Sequence, residues 1–283
     1  MTRRFPIPLV GLAAAAVLSA CASFGEPEGP PRKETVYAVT EQGELVKFNA
    51  GQPRRLQARL PLQGLAPGEQ LVGIDFRVAR GLLYGLSDQG RLYTIDTASG
   101  RATRVGNGVP VVLQGQRFGV DFNPAADRIR VVSDSGQNLR VHPDTGLQAA
   151  IDPALHYGAG DARQSSASRV LAAGYTYNKD NDKLTTNYAI DQAAGTLVMQ
   201  GTKEGVVPAV SPNAGWLRTV GPLGTGPVDD ASFDIADVDN AALAALRHQG
   251  RTRLYAVDLE TGRARPLGTV GDGAPIRGLA IEP

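Results

Sequence analysis

Five segments of the chain end alike, and that recurrence restricts the fold more than any other feature. They span residues 45–51, 92–100, 139–146, 187–195 and 254–262. Each is a short strand of alternating apolar and polar residues, followed by a turn that carries Asp or Asn and closes on Gly. Asp and Asn accept hydrogen bonds from nearby backbone, and Gly tolerates positive φ. The closing glycines lie 49, 46, 49 and 67 residues apart. Periods of this size mark the blades of a β-propeller.

A second landmark precedes these turns: 73–76 (GIDF), 119–122 (GVDF), 174–177 (GYTY), 232–235 (SFDI) and 278–281 (GLAI). Seven residues after Asp75, Asp121 and Asp234 another apolar run begins, at Leu82, Arg128 and Ala241. The shared offset implies a hairpin, with Asn123-Pro124 as a turn signal in one copy. The expected unit is four strands, with residues 102–105 and 264–267 in fourth place. Residues 241–246 have helical preference by composition. The register places them in a strand, because packing overrides a weak local preference. The fourth unit is short between Thr176 and Asp191, so segments 197–200 and 216–220 are expected to supply its missing strands.

The C-terminal segment 276–283 reads as a first strand with no unit after it, and the first unit begins near Val36 without one. Joining the two closes the ring and pairs both edges. The expected fold is therefore all-β: a five-bladed β-propeller of about four antiparallel strands per blade. A pair of stacked sheets is the fallback. Gly and Pro together make up 53 of 283 residues, which suits many short elements joined by turns.

Residues 1–21 read as an export signal. Arg3 and Arg4 precede an apolar stretch from Phe5 to Ala20, shorter than the roughly 20 predominantly apolar residues of a spanning helix. It ends Leu18-Ser19-Ala20-Cys21, which resembles a bacterial lipobox. Cys21 is the sole cysteine, which excludes a disulfide scaffold or a multi-cysteine zinc site. The expected division is a signal peptide at 1–20, a lipidated Pro/Gly-rich tether at 21–35 and a single propeller at 36–283. Ala22 and Ser23 after the cysteine imply, by resemblance to Gram-negative lipoproteins, an outer-membrane anchor facing the periplasm. The partners expected are thus the membrane through Cys21, and an envelope protein or small ligand. Lys+Arg 29 against Asp+Glu 28 is near neutral and argues against nucleic acid.

Residues 119–134 (GVDFNPAADRIRVVSD), 137–140, 144–146 and 254–258 carry a family likeness. In them the chain resembles an uncharacterised family of exported bacterial proteins, known as domain of unknown function 4394. The resemblance implies a propeller-like fold and export, and brings no established activity. The fourth unit departs from the pattern, with Thr176 where other units carry Asp.

Chemistry is less legible. Asp75, Asp121 and Asp234 occupy matching places on first strands, which line the channel of a propeller. They are the candidate ligand-binding residues; the plainer reading is that each accepts backbone hydrogen bonds from its own turn, repeated because the unit is repeated. Asn178, Asp180 and Asp182 alternate like a calcium loop but lack its Gly and its Glu, and read as a hairpin turn. His142, His156 and His248 show no metal-ligand spacing, residues 164–168 read as a loop, and neither a G-x-S-x-G elbow nor a P-loop is present. Tyr37, Tyr84, Tyr93, Tyr188 and Tyr255 recur at repeat positions and are expected mainly to pack between blades. No catalytic residue and no cofactor is assigned. The expected role is a non-catalytic binding platform. The alternative is a metal-dependent hydrolase or lyase at the channel mouth, using the three aspartates with His156.

Overall fold

The computed structural model describes residues 1–2, 28–193 and 195–283. Cys21 and residues 3–20 of the expected export signal lie outside the described residues. Among the described residues, twenty-one strands form five sheets. In chain order they are β1 (Thr35–Thr40), β2 (Glu44–Asn49), β3 (Leu56–Pro61), β4 (Leu71–Arg77), β5 (Leu82–Ser87), β6 (Leu92–Ile95) and β7 (Ala102–Arg104). There follow β8 (Phe118–Asn123), β9 (Arg128–Ser133), β10 (Asn138–Val141), β11 (Gln148–Ile151), β12 (His156–Tyr157), β13 (Val170–Tyr175) and β14 (Asn187–Asp191). The rest are β15 (Thr196–Gln200), β16 (Trp216–Pro222), β17 (Asp230–Ile235), β18 (Ala242–His248), β19 (Arg251–Val257), β20 (Ala264–Thr269) and β21 (Ile276–Ile281).

Each sheet is a blade that begins at the central axis. From the inside outward the blades run β21-β1-β2-β3, β4-β5-β6-β7, β8-β9-β10-β11, β13-β14-β15-β16-β12 and β17-β18-β19-β20. The inner strands β4, β8, β13, β17 and β21 contact one another in that order, and β21 returns to β4. The last strand completes the first blade, pairing antiparallel with β1 from Val36–Ile281 onward. Every blade is antiparallel except for the short β12, which adds in parallel to the outer edge of the fourth.

Neither face of a blade is shielded alone, so the core is divided among the blade–blade interfaces. Five buried apolar clusters fill them, one between each neighbouring pair. The five recurrent tyrosines are all buried. Two pack edge-on against the next blade, Tyr37 on Phe76 at 5.8 Å and Tyr84 on Phe122 at 5.2 Å between ring centroids. The turn glycines fit between blades as well. Gly100 sits at φ +74°, and a Cβ there would lie 2.6 Å from the Pro61 carbonyl oxygen.

Residues 241–246 fall in or beside β18, a strand as the register required. The fourth unit differs from the expected alignment in two ways. Its Gly195 turn joins the second and third strands, β14 and β15, instead of the third and fourth. Its inner strand is also displaced by two residues. Asp75 pairs with Tyr84, Ala280 with Tyr37 and Gly174 with Tyr188, so Gly174, not Thr176, is the counterpart of the aspartates. A shift of two leaves every side chain on the same face, and alternation cannot detect it. The end of the expected tether is docked, not free. Arg32 donates its N–H to the Asn49 Oδ1 at 2.8 Å, and Glu34 is buried.

Candidate functional site

The aspartates of the second, third and fifth blades meet at the axis. Asp75, Asp121 and Asp234 are buried, and each offers a carboxylate oxygen within 4.8 Å of the others. Each sits one residue or more before the end of its inner strand, and each also reaches the next blade. Asp75 Oδ2 accepts the Phe122 N–H at 2.6 Å, Asp121 Oδ2 the Tyr175 N–H at 2.9 Å, and Asp234 Oδ2 the Ile281 N–H at 2.6 Å. In all three the donor is the residue after the aspartate's counterpart. The other oxygen of Asp75 accepts the Phe76 N–H, and that of Asp234 the Ile235 N–H. Phe76 and Ile235 follow blades that carry Ala280 and Gly174, so no neighbouring carboxylate is available to them. The Phe122 N–H is already held by Asp75. Among the described residues no donor reaches Asp121 Oδ1.

The carboxylates form the floor of a cavity of about 630 Å³ at one mouth of the channel. Phe76, Phe122, Tyr175, Tyr177, Ile235 and Val238 supply much of its wall. Below the floor the inner strands close together. A Cβ at Gly119 would lie 2.6 Å from the Ala173 nitrogen, and one at Gly278 would lie 2.8 Å from the Ile74 nitrogen. Only a space of about 10 Å³ remains between the five inner strands there, so the channel narrows to a funnel below the floor.

Burial raises every carboxyl on this floor, because a charge loses its hydration there. Burial, then the charge of Asp234, pushes Asp75 well above the usual carboxylate range. Burial, then Asp75 and Asp234, does the same to Asp121. Burial takes Asp234 to about 8 against the opposing pull of the Ile281 N–H. Asp237, on the loop just above, is pushed to about 6 by burial. Three like charges this close cannot all ionise alone; they share protons or share a cation.

The rim was largely invisible in the sequence. Asp237 and Val238 come from the loop after β17, Asp127 from the hairpin after β8, and Lys179 and Asp182 from the segment after β13. Asp182 thus serves the mouth rather than a calcium loop: the Asn178 side chain caps its own turn through the N–H groups of Asp180 and Asn181. The signal that finds these residues is position, since loops leaving the inner strands gather at one end. Arg77 is buried, donates from Nε to Asp127 at 2.9 Å and also contacts Asp144, so two acids of the third blade hold it charged. His156 takes no part. It is exposed at the outer edge of the fourth blade, with its Nδ1 at 2.9 Å from the Ala154 carbonyl oxygen. The recurrent tyrosines are likewise outside the cavity; the tyrosines that line it are Tyr175 and Tyr177.

A family of sequences matches this chain over residues 44–280. The chain belongs to the family described as domain of unknown function DUF4394. No curated protein matches this DUF4394 chain. Solved structures similar to it include a chain of a nidogen/laminin complex, at 10% identity and a TM-score of 0.48, covering 88% of this chain and 98% of that one. Another is a structural-genomics protein of unknown function from Bacteroides thetaiotaomicron, at 13% identity and a TM-score of 0.46, covering 83% of this chain and 58% of that one. At these values neither likeness bears on what the DUF4394 chain does.

Proposed function

We propose that this protein is an outer-membrane lipoprotein, anchored through Cys21, whose propeller faces the periplasm and acts as a non-catalytic binding platform. Its ligand occupies the cavity at the channel mouth. The observation that carries the binding role is the cavity of about 630 Å³ with a buried polar floor and a mainly apolar wall. That size and that mixture, a few convergent polar groups in a mainly apolar pocket, characterise sites for small molecules. Binding is favoured over turnover by the state of the floor. Asp75 and Asp234 have both oxygens engaged by backbone N–H groups, which suits a rigid receptor better than a water-activating metal centre with open coordination.

Two experiments test the two halves. A thermal-shift screen of the full chain in detergent, against a broad set of small molecules, is expected to return ligands whose effect is lost when Val238→Trp fills the mouth. A screen in which nothing stabilises the chain would oppose the binding role. For the anchor, Cys21→Ser is expected to abolish lipid labelling and release or misprocess the protein. Unchanged membrane retention of that variant would contradict the anchor.

A further inference from the structure

The cavity has a chemical polarity that narrows what fits it. Six aspartates line it (Asp75, Asp121, Asp127, Asp182, Asp234 and Asp237) against two bases, Arg77 and Lys179. Arg77 is already held by Asp127 and Asp144. At the floor, Asp121 is 3% exposed, and its Oδ1 is the carboxylate oxygen that the blades leave without a donor among the described residues. The wall above it is lined by half-buried Tyr177 and by Ile235 and Val238, together with Phe76, Phe122 and Tyr175, which are buried at the blade interfaces. A wall of this kind, mainly apolar, accepts an apolar body.

We propose that the ligand is a small organic ammonium ion with an apolar body. Its charged end donates to Asp121 Oδ1 among the three carboxylates, and its body lies against the mainly apolar wall. This rests on the binding role proposed above and specifies the class of ligand. A bare divalent cation fits less well. Hard metals take 6–8 oxygens at short range, whereas most of the floor oxygens are drawn toward the strands by N–H groups at 2.6–2.9 Å. An ammonium needs few acceptors, and a charge-assisted bond to one buried carboxylate oxygen is strong.

Titration calorimetry on the full chain in detergent tests this, with phenethylammonium chloride, phenethyl alcohol and calcium chloride as probes. Saturable binding of the ammonium is expected, with no binding of the uncharged alcohol. Asp121→Asn should weaken the ammonium by about tenfold or more. The amide oxygen of that variant can still accept the Tyr175 N–H, and its melting temperature checks that it folds. Asp237→Asn, on the rim loop, is not one of the three inter-blade latches and should weaken binding by a smaller factor. Equal binding of the alcohol would overturn the proposal, since charge would not be read. Calcium binding, lost in Asp121→Asn, without ammonium binding would overturn the ammonium and leave the cavity as a ligand site. Binding of no probe would also overturn the ammonium class; the broader role falls only if the wider screen is empty as well.

Discussion

Asp75, Asp121 and Asp234 hold the ring together with the same atoms that line the cavity. Each spans from one inner strand to the backbone of the next, and an N–H buried at such a junction needs a partner. A protonated carboxyl keeps an acceptor oxygen for that N–H, so the latch works without a charge. The consequence is a pH dependence of unusual sign for acids. In the unfolded chain an Asp titrates near 3.9, whereas burial raises all three here, Asp234 to about 8. Between those limits the folded state binds more protons than the unfolded one, so stability is greatest below the lower limit and falls as pH rises through the upper. Melting temperature in the presence of chelator is expected to fall from about pH 5 to about pH 8, and less steeply in Asp234→Asn. A wild-type profile that rose over that range, or ran parallel to the variant's, would contradict this account of the floor.

Strands here owe their place to neighbours more than to their own preferences. β18 is built largely of Ala and Leu, which favour helix in isolation, yet it lies between β17 and β19 with Leu243, Ala244 and Leu246 buried. The inner strands approach so closely that side-chain size decides whether the ring can close. Gly119 is the clearest case, since an added Cβ would press on the backbone of β13, which cannot move aside as a flexible side chain would. Gly119→Ala is expected to cost about 1–3 kcal/mol in urea denaturation, in the range of overpacked cores. A cost near zero would mean that the waist of the channel is looser than described. The register of the fourth blade belongs to this scale too. Gly174-Tyr175-Thr176-Tyr177 matches the Gly-x-x-aromatic pattern of Gly73 to Phe76, but cross-strand pairing puts Tyr175, not Tyr177, level with Phe76 and Phe122.

The whole molecule depends on one non-local pairing, β21 with β1, across nearly the full chain. Loop closure of that span must precede any reward from its contacts, which makes folding slow. Removing residues 276–283 takes away the inner strand of the first blade together with Leu279 and Ile281 of the interface cluster between the fifth and first blades. It also frees the Asp234 latch on Ile281. The truncated chain is expected to lose its cooperative thermal transition, by near-ultraviolet circular dichroism. A sharp transition retained at the original temperature would show that the ring does not depend on its closing strand.

Blade number, closure and the matching places of the three aspartates were legible along the chain, because local turn chemistry repeats with the unit and alternation marks which face is inward. The exposed place of His156, the rim made by Asp127, Asp182 and Asp237, and the offset of the fourth blade were not. Those depend on how far each inner strand slides against its neighbours and on which loops its ends bring together. Steric fit across the axis settles both, and residues distant in sequence set that fit.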